Sequence, residues 1–213
     1  MKTSILAGLL LLSTPFFAQT QLSGIINTYA AVVETDTCEG RLMLADSAAF
    51  MPGESVLIFQ MKGASINTSN NASYGEISDL GGAGWYEKAT LAGVSGKVLW
   101  VENKLLHAYD PAQGVQVVSF PEFADAEVAD TLRPKAWDGK TGGILAFRVT
   151  GQLTLHAPII GDGGGFRGGD RHVVQSNCSF LTFADNYAYP FDNWRGAPKG
   201  EGVAQIIPGM EAG

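Results

Sequence analysis

The sequence predicts an all-β protein, a small β-barrel or sandwich followed by the start of a glycine-rich, parallel β-helix-like solenoid. Short β-branched and apolar runs recur between turn residues from Thr28 onward, which is the pattern of strands. No convincing run carries the helical period. The 27 glycines of the 213 residues thicken late, with Gly161, Gly163, Gly164, Gly165, Gly168 and Gly169 close together, and glycine supplies the left-handed backbone that sharp corners need.

The elements follow in order. Lys2, the apolar run Ile5 to Leu12, Pro15 and the small Ala18 read as a signal peptide, too short for the ~20 residues that cross a bilayer. Cleavage is expected between Ala18 and Gln19, although Phe16 fits poorly two positions before the cut. The expected organisation is a signal peptide at 1–18, a β-domain at 19–135 and a solenoid start at 136–213. Tyr29 to Val33 and Arg41 to Leu44 read as strands around the turn Glu39-Gly40. Pro52-Gly53 feeds Ser55 to Met61, in which Val56 and Ile58 face one side while Leu57, Phe59 and Met61 face the other. Both faces are apolar, so this strand is predicted to be central and covered on both sides.

Residues 63–84 are polar and read as a long mobile loop. Trp85 to Val94 and Lys97 to Val101 flank Ser95-Gly96 at hairpin spacing. Leu105 to Pro111 ends in a turn, and Val115 to Phe120 is another strand. A helix from Ala124 to Asp130, if formed, is short, because its propensity is low and Pro134 follows. Ile144 to Val149 and Gln152 to Ile160 are joined by Thr150-Gly151 and run into the glycine tract, which suits solenoid rungs. Met210 to Gly213 supplies no polar cap for a last rung, so the chain reads as the N-terminal piece of something longer.

Removal of residues 1–18 leaves 13 basic residues against 21 acidic ones, a balance that argues against a nucleic-acid partner. No later stretch is apolar enough to span a membrane as a helix, so an integral membrane protein is not expected. An exported chain permits a disulfide between Cys38 and Cys178, which the chain-entropy model rates at about 4–5 kcal/mol. Two unpaired thiols are the alternative. Without a cluster of histidines they make no zinc site.

Patterns that carry chemistry elsewhere resolve into ordinary roles. Gly163 to Gly168 fits G-x-G-x-x-G, but no amphipathic helix follows to receive a pyrophosphate, so no cofactor is expected. His107, His156 and His172 lie far apart. No Gly-x-Ser-x-Gly motif occurs. Asp162, Asp170 and Asp185 are too few on too few rungs for a paired-carboxylate glycosidase or lyase, and Asp162 alone is too little for calcium. Trp137, Phe166, Tyr187, Tyr189, Phe191 and Trp194 make the later region aromatic, a feature of carbohydrate-binding faces and more often of cores.

Three stretches carry a resemblance: Phe50 to Ala64, Ala136-Trp137-Asp138-Gly139-Lys140-Thr141-Gly142-Gly143, and Gly165-Phe166-Arg167-Gly168-Gly169. Together with Glu201 to Gly213 they resemble the N-terminal region of large surface proteins of Bacteroidetes-type bacteria exported by the type IX secretion system. That resemblance implies an adhesin-like protein on the cell surface, with surface polysaccharide or other cell-envelope components as partners. The expectation is a secreted, structural or adhesin-like protein without catalytic activity in this segment. The alternative is a polysaccharide-active enzyme or carbohydrate-binding module on a β-helix.

Overall fold

The computed structural model describes residues 19–171, 187 and 199–204. Its strands are β1 Thr20–Gly24, β2 Tyr29–Asp36, β3 Arg41–Leu44, β4 Ser55–Gln60, β5 Ser65–Ile66, β6 Ile77–Asp79, β7 Tyr86–Ser95, β8 Val98–Val101, β9 Val115–Ser119, β10 Glu122–Phe123, β11 Ala126–Leu132, β12 Arg148–Val149 and β13 Leu153–Leu155. A 3-10 turn, Pro111–Gln113, is capped by the Asp110 side chain and precedes β9.

Six strands close an antiparallel barrel in the order β2-β3-β8-β7-β4-β9. Alternation along each strand places one set of side chains inside: Ala30 and Val32, Leu42 and Leu44, Val56 and Ile58, Leu99 and Val101, Val115 and Val117. Phe50, from the loop before β4, and Leu105 and Tyr109, from the loop before β9, join the same cluster. The expected hairpin is present with its turn one residue later than Ser95-Gly96, at Gly96-Lys97, with Ser95 opposite Val98 and Gly96 at a φ of 58°.

Double cover falls on β9 rather than β4. The outward Leu57 and Phe59 of β4 are only half-buried, whereas all five residues of β9 are buried. The reason is that residues 134–147 lie over the outer face of β9, held by side-chain amides that imitate peptide groups. Gln116 Nε2 donates to the Gly142 carbonyl and Gln116 Oε1 accepts from the Gly142 N–H, both at 2.9 Å. Asn27 Nδ2 donates to the Ser119 and Ala146 carbonyls at 2.8 and 2.6 Å, and its Oδ1 accepts from the Ala146 N–H. Gly142 has a φ of 111°, and a Cβ there would lie 2.5 Å from the Ala136 carbonyl oxygen.

The polar segment 63–84 is not a featureless loop. β5 and β6 pair as a small antiparallel hairpin, extended by the Asn67 N–H donating to the Glu76 carbonyl at 2.8 Å. The buried Gln60 side chain anchors its base, donating to the Lys62 and Gly81 carbonyls and accepting from the Asp110 N–H. Gly63 and Gly81 cross so closely that a Cβ on Gly81 would lie 2.1 Å from the Gly63 carbonyl oxygen.

The remaining strands are parallel. One sheet runs β1-β11-β13, and β10 pairs with β12. Leu22, Ala126, Val128 and Leu132 form its buried core, flanked by Phe123, Leu145, Phe147, Val149 and Ala157. Two expectations are corrected here. Ala124 to Asp130 contributes a strand, β11, because β1 and β13 flank it and take up its backbone groups. The parallel layer, expected only after residue 136, already includes β1, so the barrel is inserted between the first and second rungs of the stack. Among the described residues, no helix is long and apolar enough to cross a membrane.

Candidate functional site

The barrel has one mouth beside the stack, where Tyr29, Ser55 and Ser119 lie, and a far mouth marked by Asp36, Gln60 and Val115. Cys38 is exposed in the β2–β3 turn at the far mouth, and Cys178 lies outside the described residues. Gln19 immediately precedes β1, while Ala18 is outside the described residues. His107 and His156 have separate partners: His107 stacks on Trp85 at 4.7 Å and His156 approaches Glu127 at 3.7 Å, while His172 is outside the described residues. Gly163 to Gly168 forms turns without a helix following among the described residues. Asp162 lies in those turns, Asp170 follows them in irregular chain, and Asp185 is outside the described residues.

Trp137 is a core residue. It is buried, meets Phe166 edge-on at 5.8 Å, and donates from Nε1 to Glu201 Oε2 at 2.9 Å. Glu201 also accepts from Arg167 Nε at 3.0 Å and Nη2 at 2.8 Å, with Lys62 Nζ 3.5 Å away. The Arg167 hydrogen bond is the main cause that holds the Glu201 carboxyl down at about 2, against the opposing effect of burial. This group clasps the glycine tract and residues 199–204 to the far mouth. At Asp138, burial acts to raise the carboxyl, but the bonds from Lys135, Thr141 and Lys140 outweigh it and hold it below the usual carboxylate range.

Inside the far mouth, both oxygens of the buried Glu87 accept from the Leu106 N–H at 3.1 and 3.0 Å. The buried Tyr109 hydroxyl has no hydrogen-bond partner of ordinary geometry, and burial first, then the nearby Glu87 carboxylate, push its pKa far up. A phenol so placed stays protonated and is poorly suited to act as a base. Crevices of about 280 and 250 Å³ flank the turn at Gly139-Lys140, floored by Ala31 and Ala45.

The aromatic surface lies elsewhere. Tyr86, 62% exposed, stacks on its cross-strand partner Phe59 with ring centroids 5.9 Å apart and planes 14° from parallel. Two residues on, the outward Lys88 reaches over the Phe120 ring at 4.9 Å and pairs with Glu122. Glu122 also faces Arg148 Nη1 at 3.9 Å, and the Lys88 hydrogen bond draws its pKa down. The strip Phe59, Tyr86, Lys88, Phe120, Glu122 and Arg148 thus runs from the far mouth of the barrel onto the stack. One open aromatic face followed by a row of hydrogen-bonding charges can hold a flat ligand that carries hydroxyl groups. The alternation Tyr86-x-Lys88 on an outward strand face was its available signal; the partners from β4, β10 and β12 had none in the sequence.

The fold and site define a class: an all-β protein in which a closed six-stranded barrel interrupts a parallel β stack. No protein-family model matches the chain, and no curated protein matches it. Similar solved structures include the tailspike protein gp49 from Pseudomonas phage LKA1, with 14% identity over 56% of this chain and 19% of that one, at a TM-score of 0.29. Another is the Gp54 tailspike of Acinetobacter baumannii bacteriophage AP22, in complex with A. baumannii capsular saccharide. It has 13% identity over 62% of this chain and 21% of that one, at a TM-score of 0.32. This chain spans about a fifth of the length of either tailspike, and overlaps of this size transfer no function.

Proposed function

We propose that the chain is a secreted, non-catalytic, adhesin-like protein of the cell surface that contacts polysaccharide along the Tyr86 strip. The observation that carries the reading is Tyr86 itself. An aromatic ring on a barrel exterior, open on one face and backed by Phe59 on the other, is held rigid without being used for the core. Sugar rings present weakly positive C–H edges to such a face, and Lys88, Glu122 and Arg148 are placed to bond neighbouring hydroxyls or carboxylates. Placement at the cell surface is supported by the signal-peptide pattern and by the resemblance of Phe50 to Ala64 and Ala136 to Gly143 to exported surface proteins.

Affinity electrophoresis of the full chain through gels containing neutral or uronate-bearing bacterial polysaccharide tests this. Retardation is expected in at least one gel, and Tyr86→Ala should abolish it. Equal mobility of wild type and Tyr86→Ala in every gel overturns the assignment. Release of new reducing ends from the polysaccharide overturns its non-catalytic part.

A further inference from the structure

The barrel wall has a gap beside the aromatic strip. The Gln60 N–H donates to the Trp85 carbonyl and the Leu91 N–H to the Glu54 carbonyl, so the odd-numbered backbone groups of this stretch face β4. Those of Tyr86, Lys88 and Thr90 therefore turn towards the β8 side. β8, however, ends at Val101, opposite Leu91. The Glu102 N–H still reaches the Thr90 carbonyl at 3.0 Å, and the chain then parts from β7. Further along, the Glu87 carboxylate takes the place of a strand partner and accepts from the Leu106 N–H. Beside these two bridges lies a crevice of about 240 Å³ lined by Glu87, Lys88, Thr90, Asn103 and Lys104.

The polar groups of this crevice have capacity to spare. Glu87 is 7% exposed, yet the Leu106 N–H is its one donor of ordinary geometry, and no cation pairs with it among the described residues. The neighbouring Lys88 turns outward to Glu122 instead. A carboxylate has about four acceptor positions, and empty ones at such depth are costly. The Lys88 N–H and C=O face the crevice with no strand opposite. The side chains of Asn103 and Lys104 make no hydrogen bond or ion pair among the described residues. Donors and acceptors thus line the same space.

We infer that this crevice binds a single neutral sugar residue, at a chain end or branch, with Glu87 accepting from its hydroxyls and the Lys88 N–H and Asn103 donating to its oxygens. The inference rests on the saccharide reading and extends it, since Lys88 belongs to both the strip and the crevice. Hydroxyl groups both donate and accept, which matches the mixed lining. The charge of Glu87 repels a uronate, while Lys88 and Lys104 oppose a free ammonium. A peptide strand is not accommodated, because Lys88 alone offers an open N–H and C=O between the bridges at Thr90 and Glu87. The volume lies below the about 300–1,000 Å³ of sites for drug-sized ligands, so one ring fills it.

Saturation-transfer NMR on the full chain, titrated with glucose, galactose, mannose, N-acetylglucosamine and glucuronate, tests this. At least one neutral sugar should bind, and more tightly than glucuronate. Glu87→Gln keeps an oxygen for the Leu106 N–H but removes the charge that receives the hydroxyls, and should weaken binding about tenfold. Asn103→Ala, on the exposed rim, should weaken it in a chain whose core is untouched, and it decides the matter if the first variant does not fold. Tyr86→Ala should leave monosaccharide binding unchanged. The inference is overturned if no neutral sugar binds, if glucuronate binds tightest, or if binding survives both crevice substitutions. Monosaccharide binding lost in Tyr86→Ala but kept in Glu87→Gln also overturns it, and puts the sugar on the strip, leaving the polysaccharide reading intact.

Discussion

The barrel and the parallel stack solve the same problem, covering the edges and one face of a sheet, in different ways. In the barrel every strand has two neighbours, so no edge remains and the interior from Ala30 to Val117 is filled from within. The stack is open. Among the described residues β1 and β13 are its edges, and its core of Leu22, Ala126, Val128 and Leu132 is assembled from chain segments more than a hundred residues apart. Antiparallel neighbours are joined by short turns such as Gly96-Lys97, whereas parallel neighbours require crossovers. The first crossover, between β1 and its partner β11, contains the entire barrel. Such an insertion is tolerated because loop-closure entropy grows only slowly with length and the barrel brings its own core. A closed sheet is complete in itself. A parallel one depends on distant chain.

The contrast can be broken most sharply in the barrel interior. Leu99 is fully buried, and Leu99→Ala is expected to cost about 2–5 kcal/mol in urea unfolding. A loss below about 1 kcal/mol would mean that the barrel core does not dominate stability. The next effect probes how the second crossover is fastened to the barrel. Gln116→Leu strands both polar groups of the Gly142 peptide, which should cost about 1–3 kcal/mol and speed amide exchange across 142–147. Unchanged exchange there would show that apolar packing alone holds the segment down.

The clasp at the far mouth should give a smaller, pH-dependent effect. The Glu201 carboxyl lies at about 2 in the folded chain against an ordinary 4.5. A lowered pKa stabilises the folded state above the ordinary value, and that contribution is lost as pH falls from 4.5 towards 2. Glu201→Gln should therefore lower stability by about 1 kcal/mol at neutral pH and flatten the acid limb of the stability profile. A variant whose acid limb matches the wild type would remove Glu201 from the account. The smallest effect on stability belongs to Tyr86→Ala, within about 0.5 kcal/mol by thermal melting, because the ring lies outside both cores. A larger loss would make Tyr86 a packing residue and weaken its assignment as a contact surface.

Much of the barrel was legible in the sequence because its information is local. Arg41 to Leu44 stands where alternation puts it, and the hairpin between β7 and β8 lies within one residue of the expected turn, since neighbouring residues decide both. Ala124 to Asp130 was not legible, because its identity as a strand depends on β1 and β13, and no local pattern encodes partners that far away. The aromatic residues show the same limit. Trp137 and Tyr86 are equally suited to a core or a surface by composition. Packing against Phe166 and Glu201 buries the first, and an outward place on β7 exposes the second.

By itself, then, the sequence determined the all-β class, the barrel strands and the glycine corners, because alternation, turn residues and left-handed backbone act over a few residues. Tertiary structure decided that the parallel layer begins at Thr20, that β9 rather than β4 is covered twice, and that Asn27, Gln60 and Gln116 turn inward as substitutes for peptide groups. A buried amide must meet partners that offset its lost hydration. Those partners, the Ala146, Gly81 and Gly142 backbones, reach it only once the chain has closed on itself.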